Sequence, residues 1–375
     1  MHIETKCIHS GGYPDTQTGG INTPIFTSSA YGYLDTDVRL YQRYFNTPNQ
    51  EAVAKKLCEL EGTEDGVVFS SGMAAISTVL LALLNSGDHA VVQDEIYGGS
   101  HAFVEEHLSR LGISFTLTGK EAQTIEEAIK PNTRIIYIES PTNPLLNVVD
   151  LRAVAEIGRR RGILTIIDNT FATPINQNPF KLGIDVVIHS GTKYLGGHSD
   201  LYCGIALANK EIAALIRKTA ANFGGSLNAM SCYLLERSLK TLALRVERQS
   251  QNAFEISKFL EKHPNVARVN YPGLENHPGH AIARNQMAGY GAMLSFELKD
   301  MTAITFMKRL KLIKATLSLG GVESTICDPA TTSHQKVSAE VRKRLGISDN
   351  LLRLSVGIEN LNDLVEDIQQ AMKDK

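Results

Sequence analysis

Short apolar runs recur through the middle of the chain, each followed by a longer stretch of helical texture. They are Gly66–Phe69, His89–Gln93, Arg134–Ile138, Ile163–Ile167, Val186–His189 and Gly204–Ala208. Strands covered on both faces read as near-continuous apolar runs, and their alternation with helices brings them into one sheet. The pattern predicts an α/β fold with a mostly parallel sheet over residues 51–240. Ligands of such sheets bind beyond the carboxyl ends of the strands. After Ser238-Leu239-Lys240 the texture changes to a long charged helix from Leu244 toward Lys262, the turn Tyr271-Pro272-Gly273, a strand-like Ala292–Leu298 and an amphipathic helix over Thr302–Leu310. We read residues 241–375 as a smaller α+β domain. Residues 1–50 lack clean periodicity and carry Tyr31, Tyr33, Tyr41, Tyr44 and Phe45. So many aromatics argue for an arm that packs on something, another subunit included.

Composition narrows the function classes. The chain has 375 residues, 43% of them hydrophobic and 21% charged, with a formal net charge of -2. That balance gives no reason to invoke nucleic acid or an acidic membrane surface. The cysteines Cys7, Cys58, Cys203, Cys232 and Cys327 are scattered without a C-x-x-C pair, which fits neither a disulfide framework nor a zinc site. The start Met1-His2-Ile3-Glu4-Thr5-Lys6 lacks a signal-peptide pattern, and the apolar helix Ala74–Leu84 is too short to span a bilayer. The expectation is a cytoplasmic protein without a metal.

The chemistry-bearing residues gather at predicted strand ends. Ser190-Gly191-Thr192-Lys193 follows the run Val186–His189. Hydroxyls and a small-residue turn can hold a phosphate, and the lysine can form a Schiff base with an aldehyde on the same molecule. Asp168, after Ile163–Ile167, can keep a pyridine nitrogen protonated and make the ring an electron sink. Pyridoxal 5'-phosphate has all three groups. Gly72 and Met73 open the helix after Ser70-Ser71, where unpaired N–H groups meet anions, although Ser71 also reads as a plain N-cap. Tyr97, after Asp94-Glu95-Ile96, offers a face to stack on a ring, or only a loop corner. Asn143, within Glu139-Ser140-Pro141-Thr142-Asn143-Pro144, can bond a ring hydroxyl or serve the turn, and Glu139 reads as a satisfied strand-end carboxylate. Arg353, inside Leu351–Val356, suits an amino-acid carboxylate or an internal ion pair. His189 reads as a packed strand histidine, and His277 and His280 as a turn.

These segments, with Tyr41-Gln42-Arg43, Tyr97-Gly98-Gly99, Asp168-Asn169-Thr170, Ser318-Leu319-Gly320-Gly321 and Arg353-Leu354-Ser355-Val356-Gly357, resemble the cysteine and methionine metabolism family of pyridoxal-phosphate enzymes. That family includes cystathionine lyases, cystathionine γ-synthase, methionine γ-lyase and O-acylhomoserine sulfhydrylases. The resemblance implies an aminotransferase-like fold and a homotetramer of two catalytic dimers. It implies Lys193 as the Schiff-base lysine, Asp168 as the pyridinium partner, Tyr97 as the stacking aromatic and Asn143 as the contact to the ring hydroxyl. Gly72, Met73, Ser190 and Thr192 would hold the phosphate, with Tyr41 and Arg43 reaching in from a neighbouring subunit. Arg353 would clamp the substrate carboxylate, with Ser318 nearby. The activity implied is carbon–sulfur cleavage of cystathionine or a related thioether amino acid, or alternatively γ-replacement on an activated homoserine; transamination fits less well. The chain departs from the family's pattern in Asn46-Thr47-Pro48-Asn49 after the arm arginine, in Gly99, in Asp328, and in Leu317, where many members carry a glutamate for the distal amino group.

Overall fold

The structure, a computed structural model, describes residues 1–335 and 339–373. Its larger sheet contains β1 (Asp65–Phe69), β2 (His89–Gln93), β3 (Ser114–Thr118), β4 (Thr133–Glu139), β5 (Leu164–Asp168), β6 (Val186–Ser190) and β7 (Gly204–Ala208), in the order β1-β7-β6-β5-β4-β2-β3. The pairs from β6 across to β3 are parallel, and β7 runs antiparallel to both of its neighbours. The α/β architecture with a mostly parallel sheet is therefore present. β3 is an addition to the strands expected. Its sequence Ser-Phe-Thr-Leu-Thr alternates at a sheet edge and is only part-buried, so it lacks the apolar run of its neighbours.

Side chains alternate across a strand, and here the alternation sorts the core. Ile136, Ile138, Ile167 and Val187 join one apolar cluster, while Ile135, Tyr137, Ile166, Val186 and Ile188 join the other. The second face is covered by the apolar helix Gly72–Leu83, which supplies Ile76, Val79 and Leu80 to it. Continuing the period by two puts Glu139, Asp168 and Ser190 on this same face, at the carboxyl ends of their strands. Sequence alternation thus delivers polar groups to one rim.

A second sheet has the order β10-β11-β12-β9-β8, from β8 (Val266–Asn270), β9 (Met293–Leu298), β10 (Lys314–Ala315), β11 (Thr325–Cys327) and β12 (Leu351–Ser355). The long helix Leu242–Lys262 and the helix Leu361–Ala371 pack their apolar stripes on it through Ala253, Ile256, Leu260, Leu364 and Ile368. The start of the chain is fastened by the helix Ile3–His9, whose end is held by the buried Lys56 amine donating to the carbonyls of Cys7 and Ile8 at 3.1 and 3.2 Å. All five cysteines are free and buried. Burial raises the thiol pKa of Cys7, Cys203, Cys58 (to about 11) and Cys232 (to about 12). No described helix is long and apolar enough to cross a membrane, and no group of three His, Cys, Asp or Glu side chains among the described residues could hold a metal ion.

Candidate active site

Beyond the carboxyl ends of the larger sheet lies a cavity of about 540 Å³. Gly72, Met73, Tyr97, Asn143, Asp168, Ser190, Thr192, Lys193 and Arg353 all line it, so residues scattered over most of the sequence converge. Ser318 joins them through Lys193, whose Nζ donates to its Oγ at 3.2 Å. Tyr41 and Arg43 do not join them in the same chain. The Arg43 guanidinium lies over the rings of Tyr41 and Tyr44 and donates to the Ala221 carbonyl at 2.5 Å, leaving both tyrosines exposed.

One end of the cavity is built to receive an anion. Ser71 caps the helix Gly72–Leu83 by accepting from Ala74 N–H at 3.1 Å, so its plain capping role is real. The first N–H groups of any helix have no partner one turn back. Here the first helical residue abuts Ser190: a Cβ at Gly72 would stand 2.9 Å from both Cβ and Oγ of Ser190. The Thr192 hydroxyl is engaged with the Cys203 backbone, donating to its carbonyl at 3.3 Å and accepting from its N–H at 3.1 Å.

Lys193 stands on the turn that leaves β6. Arg245, buried, donates to the carbonyls of Tyr194 and Ser238 at 2.8 and 3.0 Å and clamps that turn. Gly320, at φ +78°, lets the Ser318 segment approach; a Cβ there would meet Tyr194 N at 2.7 Å. Burial, and then the nearby Arg353 charge, lower the Lys193 amine to a pKa of about 8, with Asp168 pulling the other way. An amine so placed is neutral in an appreciable fraction near neutral pH.

Asp168 ends β5 in register with Glu139 at the end of β4. Its Oδ1 accepts from the Thr170 N–H at 3.0 Å and hydroxyl at 2.5 Å, while burial raises its pKa. Arg353 comes from the second sheet. Its Nη1 donates to Asn143 Oδ1 at 2.9 Å, its Nη2 approaches the Leu317 carbonyl at 3.4 Å, and its Nε is buried without a partner among the described residues. The internal carboxylate partner that would make it an ordinary ion pair is not among these contacts. Tyr97 opens the helix Gly98–Phe103 and is 42% exposed, lining the cavity where a ligand can reach it.

Two groups carry more than the sequence suggested. Glu139 lines the cavity and accepts from Tyr97 N–H at 2.8 Å. His334 is buried beside Arg353, bonded to Ser333 Oγ at 2.9 Å and to the Asn143 backbone, and burial lowers its pKa to about 4. Its neighbours Thr332, Ser333 and Gln335 close one wall of the cavity. A lone histidine in a loop gives no local signal for this. His189 is the packed strand histidine expected, bonded to buried Glu61 at 2.7 Å.

The donor set suits pyridoxal phosphate. A helix N-terminus and Ser190 stand at one end, a buried carboxylate stands on the sheet rim, and a depressed-pKa amine lines the same cavity. The orphaned Arg353 Nε remains for a substrate carboxylate. Comparisons with known proteins agree. The chain is 45% identical to cystathionine γ-lyase of Bacillus subtilis, over 100% of both chains. It is 42% identical to cystathionine β-lyase of Coxiella burnetii, over 99% of this chain and 98% of that one. Cystathionine γ-lyase from Lactobacillus plantarum, solved with L-serine, superposes with a TM-score of 0.96 at 38% identity, covering 99% and 98% of the two chains. The family model for Cys/Met metabolism PLP-dependent enzymes matches residues 4–373, and the chain belongs to that family.

Proposed function

We propose that this chain is a pyridoxal-phosphate-dependent carbon–sulfur lyase of trans-sulfuration, cleaving cystathionine or a related thioether amino acid to a thiol, ammonia and a 2-oxo acid. The observation that carries the reading is the Lys193 amine, lowered to a pKa of about 8 and oriented by Ser318, in one cavity with Asp168 and an Arg353 that has a free donor. The bound cofactor supplies an electron sink for charge developing at the substrate Cα.

The chain's own groups do the rest. Lys193 would hold the cofactor covalently, and Asp168 would keep its ring nitrogen protonated. Gly72, Met73, Ser190 and Thr192 would hold the phosphate, Thr192 after turning its proton off the Cys203 carbonyl. Arg353 and Ser318 would bind the amino-acid end of the substrate. Asn143 Oδ1 already accepts from Arg353, so its amide N–H groups are left to donate toward the ring hydroxyl. Lys193, once neutral and free, removes the Cα proton, and Lys193 or the Tyr97 phenol returns a proton to the leaving sulfur. Tyr41 and Arg43, exposed and outside their own chain's cavity, are proposed to complete a neighbour's site in a homotetramer. The reading retains a division into an arm over 1–50, a cofactor domain over 51–240 and a C-terminal domain over 241–375, and a cytoplasmic location.

A γ-replacement reading is favoured by one feature: Leu317, 72% exposed on the cavity wall, offers no carboxylate to a distal amino group. The test is to mix holoenzyme with L-cystathionine and identify the 2-oxo acid by mass spectrometry. Pyruvate means cleavage at Cβ and 2-oxobutyrate cleavage at Cγ. No oxo acid refutes cystathionine as the substrate and moves the assignment to replacement chemistry or to a smaller thioether amino acid. Lys193→Ala is expected to abolish turnover, and substantial residual activity would sink the mechanism.

A further inference from the structure

Two carboxyl groups, Glu139 and Asp168, line the cavity, and Glu139 has no role in the reading above. Adjacent strands lie about 4.8 Å apart, and the register of β4 and β5 sets these two residues side by side. Strand alternation points both to the face covered by the helix Gly72–Leu83. Each is nearly inaccessible to solvent. Burying one carboxylate beside another is costly, and burial together with the Asp168 charge pushes the Glu139 pKa well up. A strand end in need of a hydrogen-bond acceptor alone would be served by a neutral side chain at lower cost.

The bonds made by Glu139 indicate where it acts. Its Oε2 accepts from Tyr97 N–H at 2.8 Å, and the Asn143 N–H, on the loop that Glu139 itself opens, is near enough to favour its ionised form. Tyr97 and Asn143 sit on different loops, after β2 and after β4. One carboxyl therefore joins the two loops whose side chains are assigned to the ring, and Asn143 extends the link to Arg353 at 2.9 Å. We propose that Glu139 is a positioning residue for the cofactor, fastening the Tyr97 and Asn143 loops to the end of β4 so that both side chains meet the ring. The proposal rests on the pyridoxal-phosphate reading of the cavity.

The experiment uses Glu139→Ala and Glu139→Gln holoenzymes, reading the visible circular dichroism of bound cofactor and its Kd by titration. Glu139→Ala leaves the part-buried Tyr97 N–H unpaired, which corresponds to about a tenfold rise in Kd, with weakened visible ellipticity and unchanged far-UV signal. Glu139→Gln keeps one acceptor oxygen and is expected between the two, with Kd raised about threefold. A Glu139→Ala holoenzyme with native Kd and visible ellipticity overturns the proposal. If that variant does not fold, native values for Glu139→Gln overturn it instead. Neither readout needs turnover. A wild type with a strong visible signal that releases no oxo acid from L-cystathionine refutes cystathionine cleavage alone, whereas a wild type that binds no pyridoxal phosphate removes both.

Discussion

Replacing Gly72 by alanine tests the anion end of the cavity directly. The new Cβ would lie 2.9 Å from Cβ and Oγ of Ser190 and 3.2 Å from its Cα. Carbon atoms rest about 3.5–4.0 Å apart, so the helix and β6 must separate by about 0.6–1 Å. Ser190 cannot rotate out of the way, because its Cα and Cβ are fixed by the strand and its N–H is held by Thr170 Oγ1 at 2.8 Å. Overpacking of this kind costs about 1–3 kcal/mol. The strain falls on the gap between the helix N–H groups and Ser190, where the phosphate is proposed to sit. It should therefore weaken cofactor binding by about 5- to 150-fold. Absorbance titration of apoenzyme measures this, and the Tm difference between holo and apo forms should narrow. Gly32→Ala, at a position with open space around it, is the control and is expected to be neutral. A Gly72→Ala protein that binds the cofactor as tightly as wild type would refute the phosphate assignment.

Three further outcomes follow from the same geometry. Arg353→Ala removes the free Nε donor and should raise the substrate KM on the order of 30-fold or more; an unchanged KM would make Arg353 a structural residue. Capture of added cofactor by apoenzyme should follow the neutral fraction of Lys193, because only the unprotonated amine attacks an aldehyde. The lowered pKa puts the change near pH 8, so the rate should climb about tenfold per pH unit well below 8 and level off above it; a rate still climbing tenfold per unit above pH 9 would mean the amine is not depressed. Arg245→Met strips the buried Tyr194 and Ser238 carbonyls of their charged donor and should lower stability by about 3 kcal/mol in urea unfolding; a loss below about 0.5 kcal/mol would show that the clamp is dispensable.

The larger sheet was legible because buried parallel strands such as Ile135–Ile138 and Ile163–Ile167 are apolar on both faces, a signal contained in a few adjacent residues. The second sheet was less so. β8 reads Val-Ala-Arg-Val-Asn with only its first residue buried, and β10 and β11 span two and three residues, too short for any period to register. Lys193, Asp168 and Arg353 stood out as charged groups at the end of, or within, apolar runs. Glu139 also ended such a run, yet a strand-end glutamate is ordinary until the β4–β5 register sets it beside Asp168. His334 acquires meaning only through Arg353 and Asn143, both distant in sequence. The bonds of the Thr192 hydroxyl to the Cys203 backbone could not be read from the sequence, because they depend on how the chain returns through β7.

The proposed reaction sets free a thiol, and thiols left in air become disulfides, which exchange with any thiolate within reach. A catalyst of that reaction is bathed in a reagent that could modify it. This chain keeps every one of its cysteines inside the fold, and where burial raises the thiol pKa, at Cys7, Cys58, Cys203 and Cys232, the sulfur is held in its unreactive protonated form. Burying the sulfurs that pack its core thus also shields the enzyme from the chemistry of its own product.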